Sequence, residues 1–168
     1  MGGSVADRER VRTVNLAVLR KTRRSPEVGD VFMMQPPDGL FLFGRVISTD
    51  ANPLGVRGGI LVYIYRARSR DKAAVPELVP TQLLVPPMIT NKLPWTEGYF
   101  EHVENRPLTA EDRLPRHSFR DTRGWFFDER GNRLSGPTEP VGQWGLHSYR
   151  TIDDEISRAL GIPLAADE

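Results

Sequence analysis

From residue 26 onward the apolar residues fall in short runs of four to eight, separated by turn-forming pairs, which is the pattern of strands and not of helical stripes. Ser25-Pro26-Glu27-Val28-Gly29-Asp30 reads as a turn entering a strand over residues 31–34. Pro36-Pro37-Asp38-Gly39 is the next turn, because proline presets φ and glycine accepts a positive one. Residues 40–47 are apolar on both alternations until Gly44-Arg45, so this second strand of the hairpin is expected to be central and buried on both faces. After a glycine-rich loop over residues 52–59, Ile60-Leu61-Val62-Tyr63-Ile64-Tyr65 is the densest β-branched and aromatic run in the chain.

Further on the pattern is less regular. Residues 66–79 are charged and predict a loop with a helical turn. Leu83-Leu84-Val85 runs into Pro86-Pro87 and predicts a short strand at an edge or a strand end. Residues 95–103 and 116–121 predict two more strands, and 124–128 with the stretch near Leu134 flank a hairpin turn, Glu129-Arg130-Gly131-Asn132. Residues 137–145 are irregular. Residues 151–161 predict a helix: Thr151 as cap, Asp153, Asp154 and Glu155 at its positive end, Ile152, Ile156 and Leu160 on one face, Gly161 and Pro163 to stop it. At the front, Val11, Val14 and Val18 share one helical stripe while Leu16 and Leu19 lie on another, so residues 1–24 predict a basic leader or marginal helix outside the core. The expected fold is α+β and mostly β: one domain over residues 25–168, a twisted antiparallel sheet curling toward a partly open barrel, with the terminal helix closing one side.

Composition narrows the chemistry. The 168 residues contain no cysteine, which excludes disulfides, thiolate nucleophiles and cysteine-ligated metals. No apolar run approaches the ~20 residues of a membrane span, and the expected location is cytoplasmic. The net charge of +1 conceals an asymmetry: residues 1–25 hold Arg8, Arg10, Arg12, Arg20, Lys21, Arg23 and Arg24 against Asp7 and Glu9, so the body that follows is acidic. A basic arm of this kind supports weak nucleic-acid binding, although no aromatic residue is interleaved in it to stack on bases.

Catalytic signatures are not written in the chain. His102 and Glu104 share a face if residues 95–103 continue as a regular strand, and with His117 and Asp121 they would make a carboxylate–histidine metal site, but the spacing matches no compact metal motif. Ser118 and Ser148 each neighbour a histidine in sequence, where a strand points the two side chains apart. Gly55-Val56-Arg57-Gly58-Gly59 lacks the lysine and helix of a phosphate loop. No catalytic residue, resident metal or cofactor is therefore expected. What the second half does carry is aromatic residues beside carboxylates. Trp95, Glu97, Tyr99, Glu101 and Glu104 lie in one mixed stretch, apolar on neither face, which predicts an edge strand and a partner-binding rim.

Val28-Gly29-Asp30-Val31-Phe32, then Pro37-Asp38-Gly39, then Phe43-Gly44-Arg45-Val46, with the basic run Arg20-Lys21-Thr22-Arg23-Arg24 ahead of them, resembles the immunity protein 26 family of bacterial polymorphic toxin systems. The likeness is concrete over residues 20–47 and looser beyond. It implies a protein that binds a cognate toxin and blocks its active site. A nuclease would suit an acidic body, because its cleft is basic. The residues leave two other readings open: a nucleic-acid-binding barrel that uses the arm, and a metal-dependent enzyme built on the histidines.

Overall fold

The computed structural model describes residues 14–166. Ten strands and two helices follow in order: β1 (Asp30–Met34), β2 (Phe41–Ala51), β3 (Gly59–Ser69), β4 (Leu83–Thr90), α1 (Leu93–Thr96), β5 (Glu101–Asn105), β6 (Ser118–Arg120), β7 (Phe126–Phe127), β8 (Arg133–Leu134), β9 (Val141–Gln143), β10 (Leu146–His147) and α2 (Tyr149–Leu160). They make a six-stranded sheet in the order β10-β4-β3-β2-β1-β5 and a four-stranded sheet in the order β8-β7-β6-β9. The domain is mostly β with one terminal helix, as the pattern predicts. The two sheets do not close into a barrel, and all pairings are antiparallel except β10 with β4 and β6 with β9.

The large sheet is a middle layer. On β3, Ile60, Val62 and Ile64 face one side, where Ile152 and Ile156 of α2 pack on them with Trp95 and Phe100. Leu61, Tyr63 and Tyr65 face the other side, against Phe119 of the small sheet and Ile47 of β2. β2 and β3 are thus buried on both faces, the reason their apolar runs do not alternate.

Several elements depart from expectation. β3 continues through the charged Arg66-Ala67-Arg68, and no helical turn forms over residues 66–79. β4 does not stop at the prolines. The register slips between the Val62–Met88 and Ile64–Val85 pairs, so a bulge holds Pro86-Pro87 where β10 does not yet need their missing N–H groups. Trp95 sits on the turn of α1, not on a strand, and the chain becomes extended only at Glu101. Within the nominally irregular stretch 137–145, Val141–Gln143 pairs with β6. The terminal helix starts earlier than expected: its cap is Ser148, whose Oγ accepts the N–H of Thr151.

The leader needs the largest correction. Residues 14–24 form neither helix nor strand and bend at Asn15 and Leu16, and Val14 and Leu16 are buried at 5% and 4% exposure. The Asp153 carboxylate on α2 accepts the N–H groups of Asn15 and Leu16 (2.8 and 2.9 Å), and Leu19 N–H donates to Gly98 O (2.8 Å). The rest of the expected leader lies outside the described residues.

Candidate partner-binding surface

The residues of the family-like hairpin are bound up in folding. Gly29 has φ +91°, and a Cβ there would meet Arg106 O at 2.6 Å. The Asp30 carboxylate, 1% exposed, accepts from Arg24 (2.7 Å), Asn105 (2.9 Å) and the Glu27 N–H (2.8 Å). Burial alone would raise its pKa; those donors outweigh the burial and hold the carboxyl below its ordinary range. The Phe32 ring stacks on Phe100 (4.4 Å) and meets the edge of Trp95 (5.2 Å), and it lies directly over Gly44, where no side chain fits. Arg45, 4% exposed, donates to the Arg106 carbonyl and pairs with Asp112 (3.3 Å).

The predicted rim is split by this arrangement. β5 is an edge strand, paired on one side only with β1. Trp95 is 2% exposed, in the core between Phe32 and Phe100, and no partner reaches its ring. Glu97, Tyr99, Glu101 and Glu104 are half-buried. The Tyr99 ring lies 5.1 Å from that of Tyr149, and Glu104 pairs with Arg106 at 2.6 Å. A bulge sets His102 opposite Phe32 and Glu104 opposite Val31, neighbours that point to opposite faces, so the shared face expected for His102 and Glu104 does not exist. His102 instead lies 3.7 Å from Asp30 and 3.2 Å from Arg24. His117 is elsewhere: its Nε2 is 2.5 Å from the Tyr63 hydroxyl and its Nδ1 3.2 Å from Glu129, while Asp121 holds Arg123. The four residues of the conjectured metal site are therefore not brought together.

The Tyr63–His117–Glu129 chain was not foreseen. Leu114 N–H donates to the phenol oxygen (3.0 Å), and burial pushes the Tyr63 phenol up to about 12. The hydrogen bond from His117 holds the Glu129 carboxyl below its ordinary range. A fully buried, neutral phenol tied at both ends links the large sheet to the β7–β8 hairpin as a strut. No sequence spacing marks this contact, since Tyr63 lies more than 50 residues before His117.

Beside that strut the surface opens. Val28, Ile47, Ser48, Thr49, Asp50, Arg113, Glu129 and Arg130 line a groove of about 310 Å³. The Asn105 side chain donates to Val28 O at its β5 end, and at the other end Asn52 N–H donates to Glu129 O (2.8 Å), fixing the base of the loop between β2 and β3.

Compared with known proteins, residues 27–124 match the family model described as immunity protein 26. The chain belongs to the immunity protein 26 family. For an immunity protein of this family the matched span runs from the turn before β1 through β6, well past the hairpin that first suggests the likeness, whereas the basic run at Arg20–Arg24 and α2 lie outside it. No curated protein and no solved structure matches the chain. No helix among the described residues is long and apolar enough to cross a membrane.

Proposed function

We propose that this immunity protein binds a cognate toxin domain in the cytoplasm and neutralises it by covering its active site. Family membership carries the reading. The structure supports it in one respect: the family-like motif builds a rigid scaffold, and the titratable clusters are closed on themselves, which is what an inhibitor requires and what a catalyst does not. The β5 rim is a contact in this proposal. Glu97 and Glu101 have no cation within pairing distance among the described residues, and the open strand edge offers backbone groups to a partner. Carboxylates at such a rim suit a toxin with a basic cleft, as nucleases have.

The test is co-expression with candidate toxin domains taken from the flanking genes, with binding of the purified pair measured by calorimetry. Cells producing both are expected to grow and the complex to form at equal stoichiometry. Failure of the folded chain both to protect and to bind would overturn the proposal.

A further inference from the structure

The loop over residues 52–58 is built against the grain of folding. Leu54 has φ +53° and ψ +32°, the only non-glycine residue at positive φ among those described, and it is 71% exposed; Val56 is 47% exposed. The left-handed conformation costs a branched residue roughly 1–2 kcal/mol, and water around an isolated leucine gives nothing back. The loop nevertheless does not flop: Pro53 is buried at its base, Val56 N–H donates to Pro53 O (2.9 Å), and Asn52 is held to Glu129. A fixed base with an apolar tip is a presented knob.

What surrounds the knob sets the partner's chemistry. Across the adjoining groove stands Val28, itself 41% exposed. Arg113 and Arg130 line the groove and Arg57 lies in the loop, and none of the three guanidinium groups has a carboxylate in pairing range among the described residues. Two carboxylates line the same groove and keep their charge: Asp50, which accepts the Ser48 hydroxyl, and Glu129, which faces His117. With Arg57 of the loop, the guanidinium groups outnumber these carboxylates, so the charge around the exposed aliphatic side chains is only slightly positive. No exposed aromatic ring lines the groove, so it offers nothing for bases to stack on.

We propose that Leu54 and Val56, with Val28 and the guanidinium groups of Arg113 and Arg130, form the anchoring contact with the toxin, and that the toxin surface covered by this anchor is an apolar depression bearing carboxylates, beside the basic cleft that the acidic β5 rim faces. This rests on the toxin-binding reading above. The anchor supplies the desolvated centre, and the β5 rim, which meets the groove through Asn105 and Val28, supplies its charged margin.

The experiment titrates the toxin domain against which the chain protects in that co-expression with four full-length chains: wild type, Leu54→Asp/Val56→Asp, Arg113→Glu/Arg130→Glu, and Glu97→Lys/Glu101→Lys/Glu104→Lys. Thermal melting checks that each is folded. The loop variant is expected to lose affinity by about 100-fold or more, chiefly through faster dissociation, and the arginine variant by about tenfold or more. If wild type binds and the folded loop variant binds within threefold of it, the anchor is wrong while the toxin-binding reading stands. If wild type itself neither binds nor protects, the toxin-binding reading fails and the anchor with it. A duplex oligonucleotide serves as second titrant: should the loop and arginine variants lose that ligand while keeping the toxin, the groove belongs to nucleic acid and the proposal is overturned.

Discussion

At one end of β2 the chain has come through Pro36–Gly39 from β1; at the other it leaves through residues 52–58 toward β3. Between the first turn and mid-strand, each motif residue is held by its neighbours: Gly44 by the Phe32 ring, Arg45 by a carbonyl and Asp112, and, across the hairpin, Asp30 by three donors. Past Ala51 the same strand opens into a segment whose apolar side chains touch water and whose backbone is strained at Leu54. Between Gly44 and Leu54 the chain thus passes from positions fixed by packing to a position that carries backbone strain without burial. The difference teaches that the recognisable motif of this chain is spent on packing, which leaves its open end as the place proposed for the contact.

The largest effect should come from the folded end. Gly44→Val drives a branched side chain into the Phe32 ring and the β3 backbone and is expected to cost about 3 kcal/mol or more, read as a lower urea midpoint. An unchanged midpoint would break the comparison. Asp30→Ala should cost about 2–3 kcal/mol, since three donors lose their acceptor. Asp30→Asn sharpens this by pH. The native carboxyl titrates below its unfolded value, so its contribution is complete above about pH 4 and is lost as pH falls through the lower native value. The stability gap between wild type and Asp30→Asn should therefore narrow on acidification; a gap independent of pH between 7 and 2 would mean the carboxylate is not the stabilising form.

The open end should behave in the opposite sense. Leu54→Gly relieves the left-handed strain and is expected to stabilise the fold by about 0.5–1 kcal/mol while weakening the toxin complex. A destabilised Leu54→Gly protein would show that the leucine serves the fold after all. The smallest effect is assigned to the rim: reversing Glu97, Glu101 and Glu104 should slow association at low salt by about two- to fivefold and leave dissociation nearly unchanged. Loss of the complex on that change alone would move the energetic centre from the loop to β5.

Much of the fold was legible because burial on both faces leaves a plain mark: the uninterrupted runs in β2 and β3 could only be central strands. The terminal helix was legible from its spacing, though its start was not, since Ser148 and Thr151 are both competent caps and only geometry chooses between them. The misreadings share a cause. Pro86-Pro87 reads as a strand end, but a bulge at a half-covered strand tolerates it; Trp95 reads as a strand residue, but one helical turn delivers it to the core; Leu16 lies off the valine stripe of a helix, yet it packs in the core with α2. In each, a contact distant in sequence overrode a local preference. The candidate surface was less legible still. The carboxylates of the rim could be read, but neither the burial of Trp95 nor the φ of Leu54 is encoded in any spacing.

Ala51 and Gly59 face each other across the β2–β3 ladder, so the excursion between them begins and ends at a closed pair. Under the proposed anchor, a change of toxin would ask for new residues only at the tip of this excursion, Leu54 through Gly58, and the paired ends would leave the sheet as it is.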